Sequence, residues 1–248
     1  MRYAIISDIH ANLEALEAIL EDIDRRRVDK IVSLGDIVGY NASPNETVNL
    51  VREKGILSIS GNHDMRAADV GEPFGFNPQA RSAILWTRDQ LTPENKDYLD
   101  SLPPTLEVDD IFFMVHGSVN SADDYILSTS EAIMNFELLK KEGNLHICFF
   151  GQTHRPAIFV EDEGRVFLVR GEGKEYDFML RDSAYYLINP GGVGQPRDQD
   201  ERAAYAIYDA RRSRVSFYRV VYDTAAASRK IVAAGLPFTL AVRIKQGW

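Results

Sequence analysis

Gly55-Ile-Leu-Ser-Ile-Ser-Gly-Asn-His-Asp64 runs an apolar segment straight into an amide, an imidazole and a carboxylate. Ile56 to Ser60 has the length and apolar content of a buried strand, so Asn62, His63 and Asp64 fall where that strand ends. The same arrangement recurs upstream. Lys30 to Leu34 reads as a strand ending in Gly35-Asp36, and Tyr3 to Ile6 as one ending in Ser7-Asp8-Ile9-His10. Between them, Leu13, Leu16, Ile19, Leu20 and Ile23 share one helical face behind Asn12, a good N-cap. Asn45 to Glu53 reads as a second helix, started by Ser43-Pro44. The order β-α-β-α-β predicts a parallel sheet with helices on its faces.

Downstream, Ile111 to Val115 and His146 to Phe150 read as buried strands separated by a helix around Glu131 to Lys141. Five more strands are expected at Ala157 to Val160, Val166 to Val169, Tyr185 to Ile188, Ala204 to Tyr208 and Val215 to Val221. Turns at Glu163-Gly164 and Arg211 to Ser213 suggest hairpins, and hence a second, mixed or antiparallel sheet packed on the first. Gly171 to Glu175 is a charged, glycine-containing turn, and Thr224 to Gly235 an alanine-rich helix. Phe238 to Trp248 reads as a helix packed on the body, with a partner-facing tail in a homodimer as the alternative. No repeat or linker divides the chain, so one domain over residues 1–248 is expected.

At 248 residues and 45% hydrophobic content the chain can bury a sizeable core. Its net charge of -9 excludes a general nucleic-acid binder, which needs clustered Lys and Arg. One cysteine, Cys148, excludes an intrachain disulfide framework. Asp8 interrupts the N-terminal apolar run too early for a signal peptide, and no apolar segment is long enough to cross a membrane. The chain therefore reads as cytoplasmic, with neither membrane nor nucleic acid as partner.

The polar clusters carry the chemistry. To those after the first three strands are added His116-Gly117 and Gly151-Gln-Thr-His154. In an α/β sheet, ligands bind beyond the carboxyl ends of the strands, where four of the five histidines fall. Carboxylates and imidazoles together suit Mn, Fe, Zn or Ni, and a strand-end carboxylate can bridge two cations. Two cations about 3.5–4 Å apart acidify a bridging water and stabilise both the attacking and leaving oxygens of a phosphoryl transfer.

Asp8-x-His10, Gly35-Asp36, Gly61-Asn62-His63-Asp64, His116 and Gly151-x-x-His154 together resemble the signature of the calcineurin-like metallophosphoesterases. Asn189-Pro-Gly-Gly-Val-Gly-Gln-Pro-Arg-Asp198 resembles a loop of small bacterial members. The resemblance implies an α/β, four-layer αββα sandwich of two mixed sheets flanked by helices, with a dimetal site at the carboxyl ends of the strands. It implies that Asp8, His10 and His154 bind one metal ion, that Asp36 bridges, and that Asn62 and His116 bind the second. His63 is then the general acid and a phosphate contact. Three positions depart from the pattern. Gln152 replaces a histidine at the second metal, Gly39 replaces an aspartate that orients His63 in protein phosphatases, and Gly192 stands where serine is expected.

Residues beside the motifs divide between chemistry and structure. Asp64 reads as a helix cap or a support for the ligands, and Asn12 as a cap. Arg197 can grip phosphate bidentately, and Gln195 and Asp198 lie in the same loop. Arg66 and Arg155 are weaker phosphate candidates, and His146 is structural. The expected activity is hydrolysis of a small-molecule phosphodiester or phosphomonoester, with Asp36 and Asn62 in the catalytic centre. The alternative is a weak or inactive binding scaffold, for which Gln152 is the one supporting feature.

Overall fold

The structure is a computed structural model that describes residues 1–142, 145–169, 171 and 175–248. Its first half contains β1 (Arg2–Ile6), α1 (Leu13–Arg26), β2 (Lys30–Ser33), α2 (Pro44–Glu53), β3 (Leu57–Ser58), α3 (Asn62–Ala67), α4 (Pro78–Gln90), α5 (Pro93–Asp100), β4 (Thr105–Val108), β5 (Phe112–Val115) and α6 (Thr129–Glu142). The second half adds β6 (Ile147–Phe149), β7 (Ala157–Asp162), β8 (Arg165–Val169), β9 (Tyr176–Met179), β10 (Tyr185–Asn189), β11 (Ala203–Asp209), β12 (Arg214–Val220), α7 (Thr224–Ala233) and α8 (Phe238–Gln246).

Two six-stranded sheets result, in the orders β3-β2-β1-β11-β12-β9 and β4-β5-β6-β10-β7-β8. β1, β2 and β3 are mutually parallel, as are β5, β6 and β10, while the other pairings are antiparallel. Successive side chains of a strand face opposite ways, and β1 uses both faces. Ala4 and Ile6 pack with Leu16, Ile19 and Ile23 of α1 and Leu240 and Ile244 of α8. Tyr3 and Ile5 meet Phe112, Phe149 and Tyr186 of the second sheet. Phe136 and Leu139 of α6 cover that sheet's outer side over Cys148 and Leu187. Helices, sheet, sheet and helix make four layers.

The late strands do not form one separate sheet. β11, β12 and β9 extend the first sheet, because β11 pairs antiparallel with β1, and only β7, β8 and β10 join the second. β3 spans two residues where five were expected, since the chain turns from Ile59 toward the helix at Asn62. Asn12 caps α1, accepting from Ala15 N–H at 3.2 Å. α8 lies on the body through Leu240, Ala241 and Ile244, leaving Phe238 and Trp248 exposed. The Gly171 to Glu175 turn falls mostly outside the described residues. Among the described residues, no helix is long and apolar enough to cross a membrane.

Candidate metal centre

The parallel strands deliver Asp8, His10, Asp36, His116 and His154 to one point between the sheets, each at most 1% exposed. Three sets of ligand atoms lie within 4.8 Å of one another: Asp8, His10 and His154; Asp8, Asp36 and His116; and His10, Asp36 and His63. Five of the seven expected ligands, Asp8, His10, Asp36, Gln152 and His154, have left-handed backbones with φ between 50° and 63°. Each such residue costs ~1–3 kcal/mol, so the strain concentrates where strand gives way to loop and aims the side chain inward. Gly61 is required by close approach, since a Cβ there would lie 2.1 Å from Asp36 Oδ1.

The histidines are held in one tautomer. His10 Nδ1 faces Val38 O at 3.1 Å, His116 Nδ1 faces Leu34 O at 2.7 Å and His154 Nδ1 faces Gln195 O at 2.5 Å. A carbonyl only accepts, so each Nδ1 carries hydrogen and, in the neutral ring, each Nε2 is left with a lone pair. Accordingly His10 Nε2 and His154 Nε2 confront each other at 3.2 Å, and His116 Nε2 lies 3.3 Å from Asp36 Oδ2. Asp8 Oδ1 and Oδ2, Asp36 Oδ2, Asn62 Oδ1 and His116 Nε2 are buried without a hydrogen-bond partner among the described residues. An unsatisfied buried polar atom costs about 1–3 kcal/mol. The donor set, oxygen and imidazole nitrogen around a common point, fits divalent first-row cations.

The ionisation states reflect crowding. Burial raises Asp8 to about 6 against the pull of His116. Burial would lower His116, but Asp36 at its side carries it up to about 10. Burial drives His10 and His154 well below the ordinary imidazole value, and His63 down to about 4. His63 is therefore a neutral ring near pH 7 until negative charge arrives beside it.

The two amides expected at a second metal, Asn62 and Gln152, are held by one loop. Asn62 Nδ2 donates to Asp123 Oδ1 at 2.9 Å, and Gln152 Nε2 donates to Ala122 O at 2.9 Å. With both nitrogens committed to one loop, Asn62 Oδ1 is left buried without a partner among the described residues. Asp64 takes Gly61 N–H and Val38 N–H at 3.0 Å each, joining the helix start to the Asp36 loop. Asp36 Oδ1 takes His63 N–H at 2.9 Å. A Cβ on Gly39 would strike His63 Nδ1 at 2.4 Å, so glycine makes room for the ring. A Cβ on Gly192 would approach His154 Cβ to 3.0 Å.

The loop residues separate. Asp198 pairs with Arg219, while Arg197 donates to Tyr40 Oη and Gln195 Oε1 at 3.3 Å each. Arg66 lies 3.4 Å from Asp123, and Arg155 Nε donates to Arg197 O at 2.7 Å. His146 sits away from the centre with Nδ1 on Asp182 O. Sequence reasoning missed Tyr40, whose ring centroid is 4.6 Å from those of both His10 and His63, and Asp123, the anchor of Asn62. A cleft of about 440 Å³ is lined by Thr153 and Arg197, which adjoin the centre, and by Tyr176, Phe217 and Arg219.

Residues 1–213 match the family model described as the calcineurin-like phosphoesterase superfamily domain. The chain belongs to that superfamily. A calcineurin-like phosphoesterase of this length has full-length relatives. The chain is 40% identical over 250 residues to an uncharacterised protein of Methanocaldococcus jannaschii, covering 98% of this chain and 97% of that protein. The crystal structure of a metallophosphoesterase from Sphaerobacter thermophilus superposes with a TM-score of 0.86 at 43% identity, covering 100% of this chain and 99% of the other. A hypothetical protein from Pyrococcus horikoshii shares the fold, with a TM-score of 0.79 at 23% identity over 100% and 98% of the two chains.

Proposed function

We propose that this chain is a dinuclear, metal-dependent hydrolase of a small-molecule phosphodiester or phosphomonoester, with residues 1–248 acting as one catalytic domain. The observation that carries this reading is the set of buried, unpartnered oxygen and imidazole donors directed at one point in a phosphoesterase fold. Asp8, His10 and His154 would hold one cation and Asn62, His116 and Gln152 the other, with Asp36 between them. Mn, Fe, Zn and Ni all suit these donors. Filled, the centre supplies Lewis acidity toward phosphoryl oxygens and an activated water as nucleophile.

The chain's own residues do the rest. Asp36 fixes the start of α3 through His63 N–H, which sets the imidazole beside the centre. The negative charge of a bound phosphate raises His63 from about 4 and lets it deliver a proton to the departing oxygen. Arg197 offers cationic hydrogen bonds to a phosphate of the substrate, and the cleft beyond it gives room for the rest of the molecule.

The test is hydrolysis of a nitrophenyl phosphodiester and the matching monoester by metal-stripped protein, with Mn²⁺ restored and Asp36→Asn as control. Metal-dependent turnover lost in the control is expected, and the ratio of the two rates reads the substrate class. A folded protein inert with every metal overturns the hydrolase in favour of a scaffold.

A further inference from the structure

Two guanidinium groups adjoin the Tyr40 ring beside the metal centre, neither of them paired with an Asp or Glu among the described residues. Arg197 lies in the loop after β10, and Arg243 in α8, beyond the span of the family model. Gln199 N–H donates to Gly247 O at 2.8 Å, which pins the end of α8 to the Arg197 loop and brings Arg243, one turn earlier, alongside. Their guanidinium carbons lie 5.8 and 5.7 Å from the centroid of the Tyr40 ring. That ring also packs against His10 and His63, so the cations stand one phenol away from the metal ligands.

Among the described residues, neither arginine has an Asp or Glu carboxylate within 4.0 Å, although the protein carries a net charge of -9. Arg197 Nε is buried with no partner, and Arg243 Nε donates to Trp248 O at 2.9 Å. The hydroxyls of Tyr40 and Tyr125 face both side chains. Burial and the neighbouring Arg197 hold Arg243 below the ordinary guanidinium value, whereas Tyr40, Tyr125 and Asp8 carry Arg197 above it against burial. Two like charges at one buried ring are unfavourable unless an anion joins them, and a planar fork of N–H donors matches phosphate.

The geometry points to an anion subsite formed by Arg197 and Arg243 with the hydroxyls of Tyr40 and Tyr125, which holds a second phosphate of the substrate beyond the scissile one. This deepens the hydrolase reading and rests on it for the identity of the ligand as substrate. The preferred substrates are then phosphoesters carrying a further phosphate group, and the specificity is supplied by the C-terminal helix.

Binding of inorganic phosphate to metal-stripped protein, followed by calorimetry, tests the subsite without catalysis. One equivalent should bind, weakened about 10–100-fold in Arg243→Ala and partly restored in Arg243→Lys. Unfolding curves of both variants establish that α8 is intact, and an Arg243→Gln variant, which keeps the side-chain length, replaces alanine if it is not. No binding by the native protein, or equal binding by a folded Arg243→Ala, overturns the subsite even if the enzyme is active. With Mn²⁺ restored, Arg243→Ala should raise KM for a phosphodiester bearing a terminal phosphate about tenfold more than for the same diester without it. An equal rise for both means that the arginines grip the scissile phosphoryl group, which overturns the second-phosphate assignment. Phosphate binding without any turnover would sink the hydrolase reading and leave the anion site standing.

Discussion

Replacing Gly39 by alanine tests what keeps His63 in place. Gly39 has φ +96°, where a side chain costs ~1–3 kcal/mol, and the new Cβ would sit 2.4 Å from His63 Nδ1. Non-bonded heavy atoms rest about 3.5 Å apart, so the ring must yield by about 1 Å. It has little freedom to do so, because Tyr40 and Phe76 flank it with centroids at 4.6 and 5.1 Å. A displacement of that size lowers turnover about 10²-fold where the ring must protonate a leaving group. Nitrophenolate departs without a proton, so the loss on a nitrophenyl diester should stay below about tenfold while an alkyl diester suffers the full loss. The assay is kcat for the two leaving groups, beside metal content and a melting curve. Metal content should hold, and Tm should fall by about 2–12 °C. Native turnover of the alkyl diester, or equal loss on both substrates, would refute the assignment of His63 as proton donor.

Asp36→Asn should abolish turnover and release at least one metal equivalent, whereas His63→Ala should slow the alkyl diester about 10²–10⁴-fold with metal content intact; equal metal loss in both ends the division of roles. Gln152→His gives up the bond to Ala122 O but supplies imidazole, and should tighten the second metal equivalent at least about tenfold in a chelator competition. An unchanged second equivalent would mean that Gln152 lies outside the coordination set. Metal binding should also release a proton. His116, held up to about 10 by Asp36 against burial, is protonated in the metal-free protein at pH 7. Affinity should therefore rise about tenfold per pH unit from 7 to 9. Because the folded value lies above the unfolded one, His116 stabilises the metal-free fold fully below about 6.5 and loses that contribution as pH rises through 10. The Tm gain on adding metal should accordingly grow across this window, and a gain that is flat or shrinks with pH contradicts the assignment.

The cluster of candidate metal donors was legible because each follows an apolar strand, and strand ends are where parallel sheets place ligands. Other features left weaker marks. α4 and α5 begin at Pro78 and Pro93 behind the caps Asn77 and Thr92, yet few of their residues are buried, so apolar periodicity did not reveal them. β4 and β9 are four-residue edge strands with half-exposed patterns. Sheet membership was unreadable because alternation reports burial, not partner: β11 carries the same apolar signal whether it pairs with β1 or β10. Arg243 lies 46 positions from Arg197 in a helix whose buried residues, Leu240, Ala241 and Ile244, serve packing, and only folding brings the two to one ring. Its place at the Tyr40 ring depends on the contact between Gln199 and Gly247, for which the sequence has no signature.

The amide-built half of the proposed dinuclear centre has a physical logic of its own. An amide oxygen is neutral and a weaker donor than imidazole, so a cation held by Asn62, Gln152 and His116 depends on carboxylate charge supplied by its neighbours. Asp36 is one source. Asp8, the D of the D-x-H motif, is the other, because its oxygen lies within 4.8 Å of the ligand atoms of both Asp36 and His116 as well as those of His10 and His154. Both its oxygens are buried and unpartnered, and burial alone would favour their protonation. Positive charge on either side of Asp8 relieves that cost, so each cation favours the form of Asp8 that the other requires. In the proposed dinuclear centre the two halves would thereby be coupled through one carboxylate, which would let the chain tolerate glutamine where imidazole is expected.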